Sequence, residues 1–597
     1  MIPTILDFVS LEAGYRAGAF TPLDVAHEVL SRIAAGDAAI WISLRDSEDI
    51  LADAAALMEM GGHSPLWGLP FAVKDNIDVA GLETTAACPE FAYAPQVDAV
   101  AVARLKQAGA LFIGKTNLDQ FATGLNGTRS PYGAPRCVFD RAYISGGSSS
   151  GSAVAVASGH VAFALGTDTA GSGRVPAAFN NIVGVKPTRG LVSTTGVVPA
   201  CRSLDCVTVF AATVGDADRV RRVMQCEDAV DAFSRAMTPV ALPRGSFRVG
   251  VLSKRDREFF GDVETEALYD AAISRLKLLG GAPFEIDYAP FRDCAALLYG
   301  GPWVAERLTA IKGFFEDRAE AIEPTVREII SGAQTMTATD AFEGVYALQA
   351  FHKRAAQQWA KMDVLLLPTT PTIYTVEALR AAPVTLNSNL GRYTNFVNLL
   401  DYSAVAIPGG FRKDGLPAGV TLIAPAFADD ALAVLADRLH RAAATGMGQD
   451  RNAFLPNESA LTGRDSGYIS IVVIGAHLTG MPLNHQLVDG GGTFDKACRT
   501  APDYRLFALP GTVPPKPGLM RDPDFAGSGV EAEVWRLPPA AFAAFVDAIP
   551  APLGVGKITL DDGAEASGFL CESHALRDAE EITGFGGWRA YLASRAR

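Results

Sequence analysis

Two short Gly/Ser-rich stretches hold the residues with most chemical potential in this sequence, Gly146-Gly147-Ser148-Ser149-Ser150-Gly151 and Asp168-Thr169-Ala170-Gly171-Ser172-Gly173. A serine hydroxyl attacks a carbonyl only when a base removes its proton and hydrogen-bond donors meet the oxyanion that forms. The second stretch follows an apolar run, Val161 to Leu165, and its glycines leave several backbone N–H groups outside regular pairing. Ser172 is therefore the candidate nucleophile. An isolated GGSSSG is more often a turn or linker than a site. A phosphate cradle fits worse, because no Gly-Lys-Ser/Thr follows at P-loop spacing and no GxGxxG opens a helix after a strand. No G-x-S-x-G elbow surrounds Ser172 either.

The base is harder to place. The histidines are His27, His63, His160, His352, His440, His477, His485 and His574, and none sits in a loop with an evident orienting carboxylate. A Ser–His arrangement thus has no support in the sequence, though the sequence alone leaves it open. A buried lysine is the alternative, since burial disfavours the ammonium and brings its pKa toward neutrality. Lys74 fits, closing the apolar run of Gly68-Leu69-Pro70-Phe71-Ala72-Val73-Lys74-Asp75-Asn76 where a chain would leave a sheet.

With VKDN, GGSSSGS and GTDTAGSGRVPA in view, the chain resembles the amidase signature family. The resemblance covers roughly residues 20 to 445 and implies a Ser-cisSer-Lys triad of Ser172 as nucleophile, Ser148 as bridging serine and Lys74 as terminal base. It implies a cis Gly147–Ser148 peptide and an oxyanion hole at Thr169, Ala170 and Gly171, with Ala170 standing where the family more often has Gly. Asn117 to Gly124 would line the pocket. Asn76, Asp119 and Gln120, judged by residue type alone, are caps and turn formers, and Arg174 with Asp168 is suited to lock the nucleophile loop.

These residues need elements to hold them. Apolar runs predict strands at Pro70 to Val73, Leu111 to Ile113, Val161 to Leu165, Arg248 to Leu252 and Val364 to Leu367. Helical patterns lie between them, at Leu11 to Met60 with Thr21-Pro22 as a start, at Ser152 to Ser158, at Val97 to Ala108, and at Val263 to Leu279 with a stripe of Ala267, Leu268, Ala271, Ala272, Leu276 and Leu279. The alternation predicts an α/β fold, matching the α/β/α layers with a mixed sheet that the resemblance implies. Asp429 is the expected cap of a last helix ending near Ala444. Expected boundaries are an amidase domain over 1–445, a linker over 446–467, and a second domain over 468–597 with strands at Tyr468 onward, Tyr504 to Ala508, Ala532 to Leu537 and Lys557 to Leu560, and a helix near Ala540 to Ala548.

Composition bounds the partners. The chain is 49% hydrophobic and 20% charged with net charge −14, which argues against nucleic acid or an anionic membrane surface. No secretory leader or spanning run is evident, so a soluble, cytoplasmic protein is expected. Eight scattered cysteines without a CxxC pair read as reduced, mostly buried thiols; no metal and no cofactor are called for.

Tyr299 and Arg307 lie eight positions apart in YGGPWVAER, on one side if helical, and are suited to hold a small carboxylate. By spacing alone they read better as a core tyrosine and a surface arginine. TTAACP at Thr84 to Pro89, YGGPWVAER and the C-terminal extension resemble the allophanate hydrolase branch of the family. That implies a carboxylated urea as the small-molecule substrate, with Tyr299 and Arg307 on its carboxylate and Gly124 near the departing amide. It implies a homodimer and a complex with upstream urea- or biuret-processing enzymes, in urea or cyanuric acid breakdown. GAHLTGMPLNHQL, Gly475 to Leu487, is similar to gamma-glutamylcyclotransferase-like folds, small α+β units, and the branch implies that this domain decarboxylates the first product. His477 ranks first for that step, then His485, with Lys516, Tyr504 and Arg505 behind. Alternatives are an amidase for another small amide or ester whose second domain only dimerises or scaffolds, and the glutamine amidase component of a larger assembly.

Overall fold

The computed structural model describes residues 1–62, 64–243, 246–456, 461 and 468–595, so His63 and much of the expected linker, 457–460 and 462–467, lie outside the described residues. The chain divides into two compact units, one of residues 1–242 and 246–464, the other of 465–597 with 243–245.

In the first unit the strands are β1 Trp41–Leu44, β2 Pro70–Lys74, β3 Leu111–Thr116, β4 Phe163–Asp168, β5 Val183–Lys186, β6 Cys206–Ala211, β7 Phe247–Leu252, β8 Gly281–Ile286, β9 Val364–Pro368, β10 Tyr402–Phe411 and β11 Pro417–Pro425. They form one mixed sheet in the order β1-β3-β2-β4-β6-β5-β10-β11-β9-β7-β8. The parallel pairs are β2 with β3 and β4, and β7 with β8 and β9. Every residue of β2, β3, β4 and β6 is buried, which is why these strands read as continuous apolar runs rather than alternating ones.

The helix Ser150–Ala157 lies against this centre and buries all its residues. Small side chains are required there, because a Cβ on Gly151 would stand 2.3 Å from the Ile40 carbonyl oxygen. Val154, Ala155 and Val156 belong to the same core as Phe71, Phe163 and Leu165. The chain then turns at Gly159, where φ is +67°, and enters β4.

Several expectations need adjusting. Leu11 to Met60 is not helical throughout: helices Phe8–Arg16, Pro22–Ala35 and Ser47–Met60 flank β1, a four-residue strand that pairs antiparallel with β3. Thr21 does open a helix, with a capping box to Asp24. The strand after Ser158 starts at Phe163 and continues through Asp168 rather than ending at Leu165. In Val263–Leu278 the buried face is Thr265, Tyr269, Ala272, Ile273 and Leu276; Ala267 is exposed. The expected stripe leaves out Tyr269 because that ring is amphipathic: its hydroxyl accepts the Leu252 N–H and donates to the Leu366 carbonyl. Asp429 is the first residue of Asp429–Ala443 rather than its cap, and its carboxylate accepts the Thr188 N–H and hydroxyl instead. Within the expected linker, Gly448 and Gln449 bond to Asn181 and Ala157 of the first unit.

The second unit holds β12 Ile469–Val473, β13 Thr493–Arg499, β14 Tyr504–Ala508, β15 Pro517–Arg521, β16 Glu531–Leu537, β17 Leu553–Thr559, β18 Glu565–Cys571 and β19 Glu580–Glu581. A five-stranded sheet runs β13-β16-β12-β18-β17 and a three-stranded one β15-β14-β19. Helix Pro539–Asp547 packs Phe545 into a core with Ile471, Leu506, Leu519 and Trp588. All eight cysteines are free thiols, five of them buried. Among the described residues no helix is long and apolar enough to cross a membrane.

One fold prediction bears on the site. Gly184 of β5 faces the loop that carries Ser172 so closely that a Cβ would sit 2.1 Å from the Gly173 carbonyl oxygen. Gly184→Ala is expected to destabilise the chain by about 1–3 kcal/mol, read as a lower urea midpoint; an unchanged midpoint would contradict this packing.

Candidate active site

Lys74 is the last residue of β2 and is completely buried. Beside it runs β4, in register Val73 to Leu165, so the lysine reaches the end of that strand. Its Nζ donates to Thr167 Oγ1 at 2.7 Å and to Ser148 Oγ at 2.8 Å. Burial pulls the Lys74 pKa down to about 7, although the carboxylates of Asp119, Asp205 and Asp168 act in the other direction. Near neutral pH a large fraction of the amine is uncharged, able to accept a proton from the hydroxyl it touches.

Ser148 stands just ahead of the helix Ser150–Ala157, and the Gly147–Ser148 peptide is cis, as the resemblance implies. Gly147 cannot be another residue here: a Cβ would lie 2.1 Å from Asp119 Oδ2 and 2.6 Å from the Gly127 nitrogen. Ser172 lies on the loop that leaves β4 and is 3% exposed. Its hydroxyl has no hydrogen-bond partner among the described residues, while that of Ser148 is held by Lys74. The structure thus joins Lys74 to Ser148 directly and presents Ser172 as the unengaged hydroxyl.

The loop that carries Ser172 is braced by Asp168. Its carboxylate receives Arg174 through two bonds of 2.9 and 3.0 Å and also accepts the N–H groups of Gly171 and Gly173. Burial by itself would raise the Asp168 pKa, but Arg174 and these donors hold it below the usual carboxylate range. Because the Gly171 N–H is taken, it is not free for an oxyanion; those of Thr169, Ala170 and Ser172 have no acceptor among the described residues. Asn398 adds a second brace, donating to the carbonyls of Asp168 and Leu204. Thr169 donates to Asp205, a carboxyl whose pKa burial raises to about 6 and which also accepts the N–H groups of Ala200 and Cys201.

Tyr299 and Arg307 do come together, but not on one helix. Tyr299 is near the end of Ala289–Gly300, the chain breaks at Gly301-Pro302, and Arg307 sits in Trp303–Ala310 with its guanidinium 5.3 Å from the Tyr299 ring centre. Arg307 is buried, so its surface reading fails; Nη1 donates to Thr123 Oγ1 at 3.1 Å. Gly124 follows Thr123 and is packed against Asp119, where a Cβ would meet Oδ2 at 2.5 Å. Asp119 is the turn former expected, accepting the N–H groups of Asn126, Gly127 and Arg129. Gln120 bridges the Ala87 carbonyl and the Glu323 N–H, and Asn76 donates to the Val198 carbonyl.

In the second unit His477 follows β12 and lines a cavity of about 270 Å³ with Gln486, Lys516, Phe545 and Phe569. Its Nε2 lies 3.0 Å from Gln486 Oε1, and its ring stacks on Phe569 at 5.4 Å. Burial lowers its pKa, a trend that the Gln486 hydrogen bond opposes and nearby Lys516 reinforces. His485 is exposed and donates Nδ1–H to the Pro482 carbonyl, outside that cavity. Arg505 is paired with Asp522 and Glu581, and the buried Tyr504 hydroxyl accepts the Thr559 N–H.

The Amidase family model matches residues 24–433, the stretch that contains every first-unit residue named above as part of the site. The chain belongs to the Amidase family. Residues 469–593 match a second model, the Allophanate hydrolase C-terminal domain. Urea amidolyase of Saccharomyces cerevisiae is 44% identical over 568 residues, 92% of this chain; the chain spans 31% of that protein. The solved allophanate hydrolase of Kluyveromyces lactis superposes with a TM-score of 0.82 at 39% identity, covering 99% of this chain and 100% of that one. A glutamyl-tRNA(Gln) amidotransferase chain of Symbiobacterium thermophilum is 36% identical over 467 residues, 71% of this chain and 94% of that protein.

Sequence reasoning misses three residues of this Amidase-family site: Thr167, which shares the Lys74 amine with Ser148; Asp205, which holds the Thr169 hydroxyl; and Arg129, which donates to the Thr123 carbonyl. Thr167 precedes the Asp168 motif by one position and is readable as a strand-end residue pointing with Lys74. Asp205 lies far along the chain in SLDC and carries no local signal.

The lowered Lys74 pKa has a stability consequence. Above about pH 7 the folded chain holds a neutral amine where the unfolded chain, with its ordinary value of 10.5, still binds a proton. Folding stability attributable to Lys74 therefore rises with pH across that window, by at most about 1.4 kcal/mol per pH unit. Relative to Lys74→Met, the wild type is expected to gain urea resistance between about pH 7 and 10; parallel curves for the two proteins would refute the shift.

Proposed function

We propose that the first unit hydrolyses allophanate, urea-1-carboxylate, to ammonia and N-carboxycarbamate, and that the second unit removes carbon dioxide from that product. The observation that carries the reading is the buried Lys74 amine, its pKa near 7, hydrogen-bonded at 2.8 Å to the Ser148 hydroxyl. The likeness to an allophanate hydrolase along nearly the whole chain supports the choice of substrate.

Neutral Lys74 takes the Ser148 proton as Ser148 takes that of Ser172, whose Oγ attacks the carbamoyl carbon. The oxyanion is met by the N–H groups of Thr169 and Ala170. The relay reverses to protonate the leaving amine, ammonia departs, and the carboxylated carbamoyl group remains on Ser172. Water, deprotonated through the same relay, releases N-carboxycarbamate. Arg307 and Tyr299 hold the substrate carboxylate, and Gly124 lies beside the departing amide.

In the second unit the dianion enters the cavity that His477 and Lys516 line. Lys516 offsets its charge and His477 delivers the proton that nitrogen acquires as the C–N bond to carbon dioxide breaks. Carbamate then falls apart in water, for a net yield of two ammonia and two carbon dioxide. The chain works as a homodimer, downstream of a urea- or biuret-processing enzyme that supplies the carboxylated urea.

Ser172→Ala and Lys74→Met are expected to lower allophanate turnover by roughly 1,000-fold or more with the fold retained. In the wild type kcat/KM is expected to rise with pH through about 7, the Lys74 value, because the neutral amine is the active form. Steady-state ammonia release on allophanate, biuret, malonamide and acetamide tests the substrate: activity confined to malonamide or acetamide defeats the reading. His477→Ala should leave first-step ammonia release in place and slow carbon dioxide release; equal rates would remove the decarboxylation step.

A further inference from the structure

Two arginines are buried beside Tyr299 without a counter-ion. Arg129 and Arg307 are each 3% exposed, and among the described residues their guanidinium groups bond to Thr123 and Pro383 oxygens and to no carboxylate. Both converge on Thr123: Arg129 Nη1 donates to its carbonyl at 2.9 Å and Arg307 Nη1 to its hydroxyl at 3.1 Å. That hydroxyl donates onward to the Phe121 carbonyl at 3.1 Å, which fixes its lone pairs toward Arg307. The Nε of each arginine is buried with no partner among the described residues. Arg129 and Tyr299 line one cavity of about 210 Å³ with Asn387 and Ser388.

The nearby carboxylates are committed elsewhere. Asp119 accepts three backbone N–H groups, Asp205 accepts Thr169, Ala200 and Cys201, and Glu306 accepts the Ser203 N–H and hydroxyl. Burying an unpaired guanidinium is unfavourable, and burying two against one threonine more so, unless an anion completes the set. The loop that carries Arg129 is built to keep it there: its N–H is held by Asp119, and Nη2 donates to the Pro383 carbonyl at 2.8 Å.

We infer that Arg129 is a specificity-determining residue, forming with Arg307 around Thr123 a two-guanidinium site that admits a carboxylated amide and disfavours a neutral one. With both Nη groups on carbonyls, Arg129 acts through its charge in a low-dielectric pocket and through Thr123, which orients Arg307; it is a positioning residue. Arg307 Nη2, which bonds to nothing among the described residues, is the group left to meet the carboxylate. The inference deepens the allophanate reading and rests on it for the identity of the natural substrate.

The test is malonate binding by titration calorimetry to the full chain carrying Ser172→Ala, alone and with Arg129→Met or Arg129→Lys, each protein first checked by its melting temperature. KM and kcat for allophanate and malonamide are measured in the same Arg129 variants with Ser172 intact. Arg129→Met is expected to weaken malonate binding about tenfold or more, and Arg129→Lys to restore much of it. KM for allophanate should rise more than KM for malonamide, with kcat changed less than KM. Malonate that fails to bind, or binds all three proteins alike, overturns the inference, as do equal KM rises for the anionic and neutral amide. If Arg129→Met does not fold, the Lys variant carries the comparison, and binding identical to the parent overturns the inference. A wild type that hydrolyses malonamide but not allophanate, while malonate binding still depends on Arg129, sinks the allophanate reading and leaves the anion site standing.

Discussion

A primary amine sealed from water is the constraint on which the first unit depends. Lys74 gives up its proton near neutrality only if its surroundings remain dry and if the oxygens around it accept and donate in the right sense. That requires β2 and β4 to be neighbours, fully buried on both faces, with Thr167 and Ser148 at the tip of the lysine. It also requires the three carboxylates that oppose the shift to be occupied. Asp168 is locked by Arg174, Asp119 by backbone N–H groups, and Asp205 by Thr169 and the Ala200 and Cys201 amides. Each of those bonds also shapes a loop around Lys74, so the electrostatics of the amine and the geometry of the loop that carries Ser172 are set by the same side chains.

How much of this is legible in the sequence depends on locality. Lys74, Ser148 and Ser172 sit in short motifs whose residue types state their chemistry, and β2, β4, β7 and β9 announce themselves as apolar runs. What stays hidden is pairing at a distance. Strands β5, β6, β10 and β11 carry Gly, Thr or Pro and read weakly alone, yet they are fixed by antiparallel ladders such as Val405 to Val185 and Val209 to Leu165. Trp41–Leu44 disappears inside a helical pattern because four residues are too few to register a period.

The meeting of Tyr299 with Arg307 shows the same limit in another form. Eight positions suggest one helical face for Tyr299 and Arg307, and they do meet, but across a Gly301-Pro302 break between two helices. Burial of Arg307 comes from the Trp303–Ala310 helix, where Trp303 and Val304 are also buried, and no pattern in YGGPWVAER distinguishes that outcome from a surface arginine. Arg129 escapes notice for a plainer reason: NGTRS has no periodic pattern, and its backbone is held by the distant Asp119. In the second unit His477 and His485 differ in setting, one lining a cavity and the other at the surface, and no pattern in GAHLTGMPLNHQL shows which would be which.

The protonation state of Lys74 can be measured directly. A titration of its side-chain nitrogen by NMR, in ¹⁵N-lysine-labelled protein carrying Ser172→Ala, should give an apparent pKa of about 7. An amine that stays protonated up to its ordinary value of 10.5 would contradict the account, because no neutral base would then exist at the pH where the site has to work.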